Sequence, residues 1–279
     1  MNCFPKIAVL GPGLLGGSVA LACQKVGVEV ILWGRREERV ACTRKLALQA
    51  TTDIAKAVEG ADLVILAVPV GAMTAVTESM LDHLKVGCLV TDVGSVKVAP
   101  HQSVGAFLKS KGIDFIGSHP MAGSEQTGVE AARAELFKGA ACVITNDEGV
   151  SQGQVNELQA FWESLGCRVE HLDAADHDRA VARISHFPHA MAVITADIGL
   201  STGDEANLAG GGFRDTSRVA SGESKMWAEI MIENRVALLK VMGEAQDSLR
   251  DMLVILENSD EEGLQKFLAE VKARRDQVS

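Results

Sequence analysis

Through Leu172 the chain alternates short continuous apolar runs with longer stretches in which apolar residues return every third or fourth position. The runs Ile7 to Leu10, Val28 to Trp33, Asp62 to Val68, Cys88 to Val93, Asp114 to Gly117, Ala141 to Thr145 and Arg168 to Leu172 read as strands. Between them Leu14 onward, Glu37 to Leu48, Asp53 to Val58, Ala72 to Leu84, Val96 to Lys111 and Ser151 to Leu165 read as helices. Strand and helix in strict alternation predict an α/β doubly wound sheet. The run Asp62 to Val68 is apolar without a break between Gly60 and Pro69, as a central strand covered on both faces requires. The tip Ser118 to Glu125 is polar and is expected to be a loop. From Ala174 the period is helical only: Ala175 to Leu200, an interruption at Gly210-Gly211-Gly212, a segment through Met226, Ile230 to Leu256, and Glu261 to Arg274. Two domains are expected, residues 1–173 and 174–279, with only the last few residues outside the fold.

The first strand runs into Gly11, Gly13 and Gly16 at G-x-G-x-x-G spacing, followed at once by a helix pattern. Such glycines allow a tight turn, close approach of backbone to a pyrophosphate, and close packing of helix on sheet. The first domain is therefore expected to be a Rossmann dinucleotide-binding domain, with Gly11, Gly13, Leu14, Leu15 and Gly16 around the phosphates and Val68 and Pro69 bordering the cofactor from the next strand end. The second strand ends in Gly34-Arg35-Arg36 with no carboxylate at its tip. Gly34, Arg35 and Arg36 thus favour the 2′-phosphate of NADP over the free ribose of NAD. The alternative is that both arginines are solvated and Glu37 or Glu38 turns back to the ribose.

A formal charge of −10 argues against nucleic acid or an anionic membrane as partner and leaves a small molecule. Six cysteines without C-x-x-C spacing read as reduced, mostly buried thiols, and no leader or membrane-spanning run is seen, so a cytoplasmic protein is expected. Tyrosine is absent, which removes any mechanism with a tyrosine general acid.

Candidate chemistry sits at strand ends and in the helical half. His119 is placed to act as a base facing nicotinamide, or is a satisfied buried histidine. Ser95 follows Gly94 at another strand end, or merely caps a helix. Ser185-His186-Phe187-Pro188-His189 holds two histidines with no third metal ligand evident, so no metal is expected, and Pro188 would kink the helix and turn His189 toward the cleft. Arg214 and Arg218 could clamp an anionic substrate, or pair with Asp215 or Glu223 on the surface. Pattern alone gives an NADP-dependent oxidoreductase acting on a small carboxylate.

Seven stretches, in order along the chain, are similar to the prephenate/arogenate dehydrogenase family of tyrosine biosynthesis. They are Gly11-Pro12-Gly13-Leu14-Leu15-Gly16-Gly17-Ser18, Thr91 to Lys97, Gly117 to Glu125, Asp176-His177-Asp178, Ser185 to His189, Gly211 to Arg218, and Met226-Trp227. The resemblance implies a Rossmann domain followed by an all-helical C-terminal dimerisation domain, a homodimer, and an active site in the cleft between the two domains. It makes His119 the group that deprotonates the substrate's ring hydroxyl, and Ser95 the group that orients that histidine and the hydroxyl. His189 and Arg218 would hold substrate, Glu125 would gate the pocket, Ser185 would lie by the nicotinamide, and Trp227 would pack near the same cleft from its own or the partner subunit. The reaction implied moves hydride to the cofactor and releases carbon dioxide as the ring becomes aromatic. The substrate is prephenate or arogenate; the family's link of NADP with arogenate leans toward the latter. No regulatory or mutase domain is expected, nor feedback by tyrosine through one. The rivals are another two-domain dehydrogenase, of 3-hydroxyacid or imine-reductase type, and a non-catalytic NADP-binding sensor. The first would place a lysine on the long helix Ala175 to Leu200, which has none.

Overall fold

The computed structural model describes residues 4–124 and 126–277; Glu125 lies outside the described residues. Backbone contacts divide the chain into two compact units, one through Asn234 and one from Arg235.

In the first unit, eight strands among the described residues form one sheet in the order β3-β2-β1-β4-β5-β6-β7-β8. They are β1 (Lys6–Leu10), β2 (Glu29–Trp33), β3 (Gln49–Thr51), β4 (Leu63–Leu66), β5 (Leu89–Asp92), β6 (Asp114–Pro120), β7 (Ala141–Thr145) and β8 (Arg168–His171). Successive side chains alternate between faces. Ile7, Val9, Leu63 and Ile65 therefore enter one core layer with Phe161 and Trp162. Ala8, Leu10, Val64 and Leu66 enter the other with Met73, Met80 and Phe115. All four residues of β4 have no exposed surface, which is why that run carries no polar position.

Three expectations need correction. The polar tip at Ser118 is strand, not loop: β6 continues through His119 to Pro120, antiparallel to β7, with His119 opposite Val143. The other pairings are parallel, because helices return the chain to the same edge, whereas β7 starts on the edge where β6 ends, Pro120 lying opposite Cys142. The helix expected to Leu48 stops at Lys45; Ala47 takes φ 59°, and the chain turns into β3, too short to show as a periodic run. The helix expected from Ile230 is two, Ser224–Glu233 and Arg235–Glu257, and Asn234 ends the first with its side chain turned inward.

The helices after β8 in this unit begin with Ala174–Val181, which passes through a π turn at Ala182–His186 into Phe187–Gly199, with Pro188 in its first turn. The short helix Gly211–Ser217 packs on Phe187–Gly199, Phe213 filling the space that a side chain at Gly199 would occupy. The second unit consists of the helices Arg235–Glu257 and Glu261–Arg275, the latter capped by Asp260, which accepts from the Gly263 N–H at 2.9 Å.

Candidate functional site

The carboxyl ends of β1, β2, β4, β5 and β6 lie on one edge of the sheet, and the strand order reverses at β1, between β2 and β4. Ligands of open α/β sheets bind at such a switch point. Gly11 has φ +129°, and a Cβ there would overlap the Ala67 carbonyl at the end of β4; one at Gly16 would overlap the Gly11 carbonyl. Gly13 differs: a Cβ would meet nothing within 4 Å, so this glycine borders open space. Gly13 is also the N-cap of the helix Leu14–Lys25, which has no side-chain cap and no acidic residue in its first turn. Its first N–H groups, those of Leu14, Leu15 and Gly16, are thus open to an anion. An open cradle beside uncapped N–H groups fits a dinucleotide pyrophosphate. At the tip of β2, Gly34 packs so closely on Pro12 that a Cβ there would come within 2.8 Å of the proline ring, and Arg35 and Arg36 are exposed just beyond it. Glu37 is held by Arg44 at 2.8 Å. Val68 and Pro69 follow β4, and the N–H of Gly71 beside them donates to Glu229.

Where β5 ends, side chains take over the ladder. The Asp92 carboxylate accepts from the N–H of Ser118 at 3.2 Å and of Gly94 at 2.8 Å, and the Lys97 ammonium donates to the Ser118 carbonyl at 2.8 Å. Lys97 and Asp92 form an ion pair with no exposed side-chain surface. Both backbone groups of Ser118 are satisfied by this pair, which fixes the last turn of strand before His119. The Ser118 hydroxyl bonds Thr91 at 2.8 Å and receives the Trp162 indole N–H at 3.0 Å.

His119 is buried, and its Nδ1 lies 2.8 Å from Nε2 of His177. Nδ1 of His177 lies 2.8 Å from Oδ1 of Asp178. That carboxylate also accepts the N–H of Lys97 at 2.7 Å and of Val98 at 3.0 Å, capping the helix that starts at Val98 from 80 residues away. Burial, with the neighbouring His177, Lys97 and His186, holds the pKa of His119 well below its ordinary 6.5, so the ring is neutral near pH 7. Burial likewise lowers His177.

Asn234 donates to the Asp178 carbonyl at 2.8 Å, which orients its amide; its Nδ2 then faces Nδ1 of His186 at 3.1 Å. Nδ1 of His186 is therefore the acceptor, and the proton sits on Nε2, which is buried and has no partner. Burial pushes the pKa of His186 down to about 4. His189 lies flat on Trp227 of its own chain, with ring centroids 3.5 Å apart, and its Nδ1 is also buried without a partner. Two buried ring nitrogens beside one indole are thus left without a partner, an exception that folded interiors seldom make.

The remaining residues are placed less tightly. Ser95 is half-buried and makes no hydrogen bond among the described residues; His177, not Ser95, holds His119. Ser185 is half-buried within the π turn. Arg214 is exposed on Gly211–Ser217, and Arg218 opens the turn Arg218–Ser221, which packs on the helix of His189. Glu223, the alternative partner for these arginines, instead caps the N–H groups of Lys225 at 3.0 Å and Met226 at 2.7 Å.

Sequence reasoning assigned no role to Lys97, His177, Asp178 or Asn234. Three of them stood inside quoted stretches, and a lysine flanked by Val96 and Val98 was a signal of a buried charge.

Residues 19–171 match the family model for the prephenate dehydrogenase nucleotide-binding domain, and residues 173–270 that for the prephenate dehydrogenase dimerization domain. The chain is 34% identical to cyclohexadienyl dehydrogenase of Zymomonas mobilis, over 99% of this chain and 96% of that one. It superposes on the structure of prephenate dehydrogenase from A. aeolicus in complex with hydroxyphenyl propionate and NAD+ with a TM-score of 0.89 at 27% identity, over 98% of both chains. Synechocystis arogenate dehydrogenase gives 0.84 at 29% identity, over 98% of this chain and 100% of that one.

Proposed function

From the premise that the chain belongs to the prephenate dehydrogenase family, we propose that it oxidatively decarboxylates arogenate or prephenate with NADP+, giving tyrosine or 4-hydroxyphenylpyruvate. The observation that carries this reading is His119: a buried, neutral imidazole at the end of β6, on the sheet edge that also carries the open Gly13 cradle. A neutral ring can draw the proton from a substrate hydroxyl, a contribution of about 10²–10⁴-fold in comparable general-base catalysis. The nicotinamide, when bound, supplies the hydride acceptor.

Gly11, Gly13, Leu14, Leu15 and Gly16 hold the pyrophosphate, and Val68 and Pro69 border the nucleotide. Arg35 and Arg36 meet the 2′-phosphate; the engagement of Glu37 by Arg44 supports this, since it draws one of the two candidate ribose carboxylates away. Ser95 contacts the substrate hydroxyl, and Ser185 lies by the nicotinamide. His189, Trp227 and Arg218, with Arg214 and Glu125, form the substrate side. One guanidinium anchors the carboxylate that stays, while the departing one is held loosely, because tight ground-state binding would raise the barrier. The working form is a homodimer, supported by the match to the dimerization domain and by the exposed Leu249, Leu253 and Leu256 on Arg235–Glu257.

The test is to mix the purified protein with NADP+ or NAD+ and with arogenate or prephenate, and to follow reduced nicotinamide. Turnover fastest with NADP+ and either acid supports the reading; no reduction in any of the four mixtures overturns it. Arg35→Asp is expected to weaken NADP+ at least tenfold and to spare NAD+. Equal weakening of both would remove the 2′-phosphate assignment.

A further inference from the structure

His177 and Asp178 are both buried, and a general base needs only its own imidazole to take a proton, so their joint burial behind His119 calls for a reason. The direction of each hydrogen bond can be worked out from one end. Oδ1 and Oδ2 of Asp178 accept two backbone N–H groups, those of Lys97 and Val98, which fix the carboxylate in place. A carboxylate accepts, so Nδ1 of His177 must donate to it. Burial keeps His177 uncharged, so its Nε2 carries a lone pair. Nδ1 of His119, 2.8 Å from that lone pair, must then be the donor. Nε2 of His119 is left bare, and it has no hydrogen-bond partner among the described residues.

We propose that His177 and Asp178 are positioning residues that hold the proton of His119 on Nδ1, so that Nε2 presents its lone pair to the substrate hydroxyl. The proposal rests on the reading of His119 as the base. It accounts for the order of the groups. With His177 in between, the pinned carboxylate dictates the tautomer of His119 without placing a negative charge directly against it, so burial still keeps the resting ring neutral. When His119 takes up the substrate's proton at Nε2, its Nδ1–H becomes a cationic donor, and the bond to His177 strengthens as charge develops. In the Ser-His-Asp template, replacing the orienting carboxylate by an amide costs about 10⁴-fold, through the wrong tautomer.

The experiment combines tautomer and rate measurements. With histidines labelled in ¹⁵N, two-bond proton–nitrogen correlations show which ring nitrogen carries hydrogen; the signal of His119 is identified by its loss in His119→Asn. The wild-type protein is expected to show His119 protonated at Nδ1 and bare at Nε2. Asp178→Asn, whose amide can donate to His177, is expected to invert both rings and to lower kcat by 10²–10⁴-fold, with NADP+ affinity changed less than threefold. Where Asp178→Asn does not fold, His177→Gln against His177→Leu serves instead: Gln keeps an acceptor for Nδ1 of His119 and is expected to retain at least tenfold more kcat than Leu. A wild-type His119 protonated at Nε2, or equal kcat for the Gln and Leu variants, overturns the proposal. Full turnover by His119→Asn overturns the reading of the base itself, and the measured tautomer of the wild-type ring is independent of that outcome.

Discussion

His189 and Trp227 are stacked with their planes 11° apart, and Gly222 is the residue that lets them be so. A Cβ on Gly222 would overlap the indole nitrogen of Trp227 and come within 3.2 Å of Cε1 of His189. Gly222→Ala must therefore open the stack. An aromatic contact of this kind contributes about 0.5–1.5 kcal/mol beyond its buried area. The expected result is a KM for the acid substrate raised roughly two- to tenfold, with KM for the nucleotide unchanged. Steady-state kinetics in each substrate checks it, and an unchanged substrate KM would mean that the stack lies outside the substrate pocket.

The glycine turn gives a contrast between two equally small changes. Gly13→Ala places its methyl in open space, so folding is expected to be untouched while the dissociation constants of both nucleotides rise at least tenfold. Gly16→Ala drives its methyl into the Gly11 carbonyl, and it is expected to cost about 1–3 kcal/mol of stability by overpacking. Urea unfolding and nucleotide titration of the two variants separate the cases. Loss of stability in Gly13→Ala would show that its cradle is not open.

How much of this was legible beforehand differs between sheet and site. The strands of the first half were readable because burial on both faces, as in β4, leaves no choice but an unbroken apolar run. β3 was not, since three residues at an edge impose no period. Nor was the strand character of Ser118 to Pro120, because its hydrogen bonds are completed by the side chains of Asp92 and Lys97 and by β7, none of them adjacent in sequence. His119 could be singled out from its setting at a strand end. The chain from His119 through His177 to Asp178 could not, because it joins residues 58 positions apart and depends on how a helix docks on a strand.

Acid should loosen the fold before it titrates the site. Burial holds His119, His177 and His186 below the ordinary value of 6.5, and His186 at about 4. In the unfolded chain these rings take up protons as pH falls through 6.5, while in the folded chain they do not, so the unfolded state gains relative stability. Stability is thus complete above about pH 6.5 and declines below it, by about 1.4 kcal/mol per histidine for each pH unit until the folded ring protonates. Urea midpoints at pH 7.5 and 5.5 measure this, and His186→Gln should flatten the slope. An unchanged midpoint between those pH values would show that the rings are not held neutral.

The last prediction concerns the ion pair behind the strand end that carries His119. Lys97 and Asp92 are both fully buried, and the pair stands in for a neighbouring strand along Ser118. Lys97→Met removes the cation but leaves a carboxylate with only the N–H groups of Ser118 and Gly94 for company. Breaking one partner of a buried pair typically costs about 3–5 kcal/mol, whereas replacing both by groups of similar volume is often nearly neutral. Lys97→Met is therefore expected to lose about that much, and the double variant with Asp92→Asn to recover more than half of it. Because the Ser118 carbonyl still loses its donor in the double variant, its kcat should stay well below wild type even where stability returns. Denaturant unfolding and kcat on the two variants test both halves. Full recovery of kcat together with stability would mean that the lysine supports the fold alone and does not set the position of His119.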